Sequence, residues 1–71
     1  ILDSVPKSLP ALMLASKYQS RLARAEIEPE LAEADPIGVA LWNLVSAARG
    51  AGVDAETALR DLCRQVADQV E

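Results

Sequence analysis

From Ile37 to Ala48 the chain carries only two polar side chains, Asn43 and Ser46, in a run that opens on Asp35-Pro36 and is followed by Gly50 and Gly52. Asp ahead of Pro is a helix-start signal, because the carboxylate can accept a free N–H of the first turn and the N–H that proline lacks would be unpaired there in any case. One of the two glycines is expected in the left-handed conformation after the last turn. The run therefore predicts a helix over about 36–49 that is apolar nearly all round. Such a helix has to be covered on every side, whereas a chain of 71 residues supplies one small core that seldom contributes more than roughly 3–5 kcal/mol. The surplus of apolar surface predicts a second chain or a further helix packed against it.

Two further helices flank this one. Ser8 is expected to cap a first helix over 8–25, with Pro10 in its opening turn. Leu14, Tyr18, Leu22 and Ala25 recur along it at helical spacing, Leu12 and Ala15 widen the stripe, and Lys17, Arg21 and Arg24 share a neighbouring face. Residues 26–35 break the pattern with Pro29 and five acids, and read as an acidic connector holding at most one helical turn. Asp54 caps a third helix over 54–70, in which Ala55, Ala58, Leu59, Leu62, Cys63, Val66, Ala67 and Val70 keep helical spacing, with Glu56–Arg60 and Arg64–Asp68 as pairs four apart. Composition agrees: the chain is 51% hydrophobic but 3% aromatic, with three glycines, which suits a bundle and not a sheet. The expected fold is all-α, without strands: a single three-helix unit spanning 1–71, completed by dimerisation or by the rest of a parent chain. A chain that opens on Ile1 and not on Met is expected to be a piece of something longer.

Charge and cysteine usage narrow the function classes. Residues 1–25 carry a net +3, residues 26–35 a net −5 and residues 36–71 a net −2, so nucleic acid is not an expected partner. Cys63 is the one cysteine and there is no histidine, so neither an internal disulfide nor a zinc site of His and Cys ligands can form from these residues, and the cytoplasm is the expected setting. The apolar stretch at residues 9–15 is followed by Ser16, Lys17 and Tyr18 in place of a small-residue cleavage site, and reads as a helix start, not a signal peptide. No stretch is long enough to span a bilayer, so no membrane role is expected.

Residues 38–60, GVALWNLVSAARGAGVDAETALR, resemble the second half of the MazG-type nucleoside triphosphate pyrophosphohydrolases, in which a segment like GDLLFALVNLAR leads into G-V-D-P-E-E-A-L-R. Gly38, Leu41, Leu44, Val45, Ala48, Arg49, Gly52, Val53, Asp54, Glu56, Ala58, Leu59 and Arg60 fall on that pattern. Residues 2–24, LDSVPKSLPALMLASKYQSRLAR, are similar to the family's L-D-G-V-P-x-x-L-P-A-L-x-x-A-x-K-x-Q-x-R-x-A-R, so the resemblance covers about two-thirds of the chain. It implies helical-bundle subunits that pair as dimers and hydrolyse NTPs to NMP and pyrophosphate. The Mg²⁺ would be held by carboxylates of an ExxE and a later ExxD motif, since a hard cation bridging a triphosphate needs oxygen ligands.

The aligned positions here lack those groups. Val39 stands where the family's Gly-Asp has its Asp, and Pro36 stands where the paired Glu would be. The helix that carries ExxE in the family has only residues 27–35 to represent it, too few for that helix and its loop. Glu30 and Glu33 spell ExxE, but in a five-acid segment bounded by Pro29 and Pro36 such a match is cheap, and a solvated acidic loop is the plainer reading. The family's last helix ends in N-x-K-F-x-x-R-F, whose Lys and Arg approach the phosphates, and the aligned residues here are Cys63, Gln65, Val66, Gln69 and Val70. Metal and phosphate ligands are lost together, which is what relaxed selection on a dead site would produce.

The resemblance therefore implies a degenerate, non-catalytic structural or dimerisation module, with no cofactor of its own, in a longer pyrophosphohydrolase whose Mg²⁺-dependent domain lies upstream. Its partners would be a second copy or that upstream domain. Ile37, Leu41, Trp42, Leu44 and Val45 are the expected interface, with base stacking a distant second role for Trp42. Lys17, Arg21 and Arg24 are the remaining candidates for nucleotide phosphates, against a solvated face or partners for the 26–35 acids. Cys63, on the apolar stripe, reads as a buried structural thiol and not a nucleophile. Two other functions are open at this point: an active pyrophosphohydrolase completed by carboxylates of another chain, and a helix-binding interaction module.

Overall fold

A computed structural model describes every residue from Ile1 to Glu71. Three α-helices follow one another, α1 (Ala11–Arg24), α2 (Pro36–Gly50) and α3 (Ala55–Val70), and no residue lies in a strand. Asp35 and Asp54 start the last two helices as their positions predict. The Asp35 carboxylate accepts the Ile37 N–H at 2.8 Å, and the Asp54 carboxylate accepts the Glu56 N–H at 3.2 Å and the Thr57 hydroxyl at 2.8 Å. Each bond satisfies a first-turn donor that the helix itself leaves unpaired.

The first helix starts later than expected. Ser8 does not cap it; α1 begins at Ala11, Pro10 precedes it in an extended conformation (φ −52°, ψ 143°), and no side chain accepts its first N–H groups. The first helical bond runs from the Leu14 N–H to the Pro10 carbonyl at 2.8 Å. Before it, Val5 bonds back to Leu2 and Leu9 to Pro6, so Ser8 is taken up in a chain of tight turns.

Two helix ends share one geometry. After α2, Gly52 takes φ 74°, the Val53 N–H reaches back to the Ala48 carbonyl and the Gly52 N–H to Arg49. After α1 the same pair of bonds runs from Ile27 to Leu22 and from Glu26 to Ala23, with Glu26 at φ 56°. This is the Schellman arrangement, which closes a helix on a left-handed residue and satisfies two of the orphan carbonyls. Gly52 adopts it at no steric cost, whereas Glu26 meets the Cβ–carbonyl crowding of that region, about 1–2 kcal/mol. The connector then holds a single turn, closed by the Ala34 N–H on the Leu31 carbonyl at 3.0 Å.

Each helix touches the other two, yet little is enclosed between them. Among apolar side chains only Val5 and Val45 are fully buried, at 3% and 1% exposure. The remaining stripe of α1, with Leu12, Leu14, Tyr18 and Leu22, is half-buried, and from Thr57 onward every residue of α3 is exposed. A folded monomer of 7.6 kDa exposes about 4,300 Å²; this one exposes 5499 Å². Its radius of gyration, 13.9 Å, likewise exceeds the ~11 Å of a close-packed chain of this length.

Two side-chain expectations on α3 need correction. Cys63 is exposed, not buried, because α3 meets the other helices through its N-terminal turns and leaves the rest of its apolar stripe uncovered. Arg64 pairs with Asp61, at 3.2 Å, in place of Asp68, while Arg60 pairs with Glu56 at 2.9 Å as its spacing predicts. On a helix surface the third and the fourth neighbour are both within reach.

The matched helix ends generate a reciprocal test. Glu26→Gly removes left-handed strain of about 1–2 kcal/mol against an unfolded-state entropy cost of about 0.4–1 kcal/mol. It should therefore raise the unfolding free energy by roughly 0.5–1 kcal/mol in urea titration. Gly52→Ala should lower it by about 1 kcal/mol or more. A Glu26→Gly variant less stable than the parent would contradict the geometry assigned to that corner.

Candidate functional site

The seam between α1 and α2 is fixed by a polar contact that helical spacing did not pick out. Gln19 lies on α1 one residue beyond Tyr18, and is buried at 7% exposure. Its Nε2 donates to the Trp42 carbonyl of α2 at 2.9 Å, while its Oε1 is buried with no donor. Gln19, Leu22, Ile27, Pro29, Trp42 and Arg49 line part of a cleft of about 200 Å³ over this seam. A glutamine inside an amphipathic stripe reads as a surface residue until a second helix closes over it; the signals in the sequence were its place beside Tyr18 and Leu22 and its match to the Q of the K-x-Q-x-R pattern.

On one flank of the seam the α1 cations gather. Lys17, Arg21 and Arg24, with Ser16 and Ser20, line a pocket of about 410 Å³ that Arg49 of α2 closes from across the seam. Arg21 is held in place: its guanidinium donates to the Ser4 hydroxyl at 2.6 Å and to the Ile1 carbonyl at 3.2 Å. The three α1 residues were candidates from the sequence; Arg49 was not, since a residue 25 positions on joins them only through the packing of two helices.

An apolar groove of about 380 Å³ lies between α2 and α3. All ten residues lining it are hydrophobic, among them Leu12, Leu41, Leu44, Val53, Leu59 and Leu62. Of the five expected interface residues, Leu41, Leu44 and Val45 line this groove, Leu44 at 66% exposure, and Ile37 is exposed at the start of α2. Trp42 is half-buried against α1, and Val45 belongs to the chain's own core.

Glu30 and Glu33 are both exposed and both outside any helix. No three His, Cys, Asp or Glu side chains converge on a point where they could hold a metal ion. Pro36 is exposed at the first position of α2, and Val39 is half-buried. No helix is long and apolar enough to cross a membrane.

The Gln19 contact can be weighed by replacement. Gln19→Leu keeps most of the volume and removes the donor together with its orphaned acceptor, while the Trp42 carbonyl keeps its place in the α2 backbone ladder. The expected change in unfolding free energy is within about 1 kcal/mol. Gln19→Ala also vacates space between the helices and should cost about 2 kcal/mol. If thermal denaturation shows the two variants equally destabilised, the packing role assigned to this side chain is wrong.

No protein-family model matches this chain, and neither a curated protein nor a solved structure matches it.

Proposed function

We propose that this chain is a non-catalytic packing module, of degenerate MazG-like type, whose α2–α3 apolar face seats a second copy of itself. The observation that carries the reading is the uncovered groove, with Leu41, Leu44, Leu59 and Leu62 exposed along its walls and Val66 and Val70 exposed beyond it. Monomers seldom leave a contiguous apolar patch of more than a few hundred Å² open to water.

The areas favour a second copy as occupant. The chain exposes roughly 1,200 Å² more than a folded monomer of its mass, and a stable interface buries about 800 Å² per partner. A two-fold pair in which each α3 lies in the other's groove can cover Leu59, Leu62 and Val66 of both copies in one isologous contact. Burial of this apolar surface supplies the driving force that opposes the cost of association, about 4–15 kcal/mol. The exposed ion pairs of α3, Arg60 with Glu56 and Arg64 with Asp61, would form the rim.

A non-catalytic role is supported by what stands at the resembling positions. Val39, Pro36, Gln65 and Gln69 carry no charge, and a pyrophosphohydrolase needs oxygen ligands for its metal and cations for its triphosphate. The parent reaction, NTP to NMP and pyrophosphate with Mg²⁺, would then belong to other parts of a longer chain, and this module would contribute assembly.

Two measurements test the reading. Sedimentation equilibrium should give twice the 7.6 kDa chain mass, and Leu41→Lys, at a half-exposed position, should yield a helical monomer, because burying an unpaired ammonium in an apolar contact costs several kcal/mol. A compact monomer for the unmodified chain would end the packing proposal. Separately, Mg²⁺ with ATP should release no pyrophosphate above a protein-free control, and Mg²⁺ should shift the melting temperature no more for the parent than for Glu30→Gln with Glu33→Gln. Turnover by the unmodified chain, lost in that double variant, would restore the enzymatic alternative.

A further inference from the structure

Four of the chain's seven basic residues, Lys17, Arg21, Arg24 and Arg49, line one pocket in a protein of net charge −4. None of the four takes part in an ion pair, whereas both arginines of α3 do. No acidic and no apolar side chain lines the pocket; its other two residues are the hydroxyl-bearing Ser16 and Ser20. Eleven acids were available to neutralise such a cluster, and five of them sit in the connector that follows α1.

From this convergence we propose that the pocket between α1 and α2 is a binding site for a small, multiply charged phosphate anion. Three guanidinium groups present planar N–H forks that match phosphate oxygens, Lys17 adds a point charge, and the two hydroxyls can donate to remaining lone pairs. Arg21 is already oriented by Ser4 and Ile1, so less side-chain freedom is lost when it takes an oxyanion.

A simpler role for these cations is to complement helix dipoles, since Arg21, Arg24 and Arg49 stand in the last turns of α1 and α2. That explains each arginine alone. It does not explain why both helix ends and Lys17 face one pocket, and two C-terminal partial charges of about −0.5 each leave most of the four positive charges uncompensated. With no apolar wall to hold a base or an acyl chain, the recognised group is the phosphate itself. This site does not depend on the packing reading: the apolar groove lies between α2 and α3, so either proposal can fail while the other stands.

The probe is inorganic tripolyphosphate, titrated into the full chain at constant ionic strength and followed by amide chemical shifts. Shifts should concentrate at residues 16–24 and around Arg49 and saturate with a dissociation constant on the order of 0.1–1 mM. Arg24→Gln with Arg49→Gln, both at exposed positions, should weaken binding at least about tenfold, whereas Lys7→Gln with Arg64→Gln removes the same charge outside the pocket and should change it no more than about twofold. ATP should bind within about threefold of tripolyphosphate, and citrate at least about tenfold more weakly. Shifts no larger than those produced by chloride, equal weakening in the two double variants, citrate binding as well as tripolyphosphate, or ATP binding more than about tenfold tighter would each overturn the assignment.

Discussion

Three helices of this length cannot surround one of their own number, and everything else about this chain follows from that. α2 offers apolar side chains around nearly its whole circumference, but α1 and α3 reach it from two directions only, and full burial is achieved at Val45 alone on α2. The surplus surface is gathered on one side, between α2 and α3, where ten hydrophobic residues border a single groove. Surface-to-volume scaling leaves a chain of this size three outcomes: marginal stability, a staple, or a neighbour. Cys63 stands alone, so a disulfide within the chain is unavailable, and a neighbour is the remedy most consistent with the groove.

Polar groups organise what the small core cannot. Two aspartates start α2 and α3, and two Schellman corners end α1 and α2, so the orphan N–H and C=O groups of these ends are met by local bonds and not by tertiary contacts. The helices thereby depend less on a large core for their boundaries. Gln19 then registers α1 against α2 through a single side-chain bond to the Trp42 carbonyl, and that register is what brings Arg49 beside Lys17, Arg21 and Arg24. A glutamine, rather than another aliphatic residue, gives the seam direction: its amide bonds one carbonyl on the facing helix, whereas apolar packing alone tolerates sliding.

The charge pattern divides the molecule into unlike surfaces. The apolar groove and the cationic pocket share no lining residue, and α2, the helix with the fewest charged residues, contributes to both. The acids of residues 26–35 lie in the exposed connector and make no ion pair with the α1 cations. Long-range attraction between them is screened within about 8–10 Å at ordinary ionic strength, which leaves the pocket open to a small anion that fits its donors.

Local chemistry written in neighbouring residues was legible from the sequence. Asp35-Pro36, Asp54 and the glycines after residue 49 specify helix starts and a stop through bonds that span two to five residues, and all fall where the residue pattern places them. The Ser8 start failed because two prolines within five residues turned the backbone before any helical bond could form, and the Glu26 corner was hidden because glutamate has no preference for the left-handed region. Tertiary structure decided which apolar residues are enclosed and which charges converge. Cys63 and Leu62 have the periodicity of core residues, yet remain exposed because the molecule holds no fourth helix to meet them. Gln19 has a polar side chain and is buried, and Arg49 joins cations 25 positions and more away, because burial and convergence depend on the distance between helices, which spacing along a single helix does not contain.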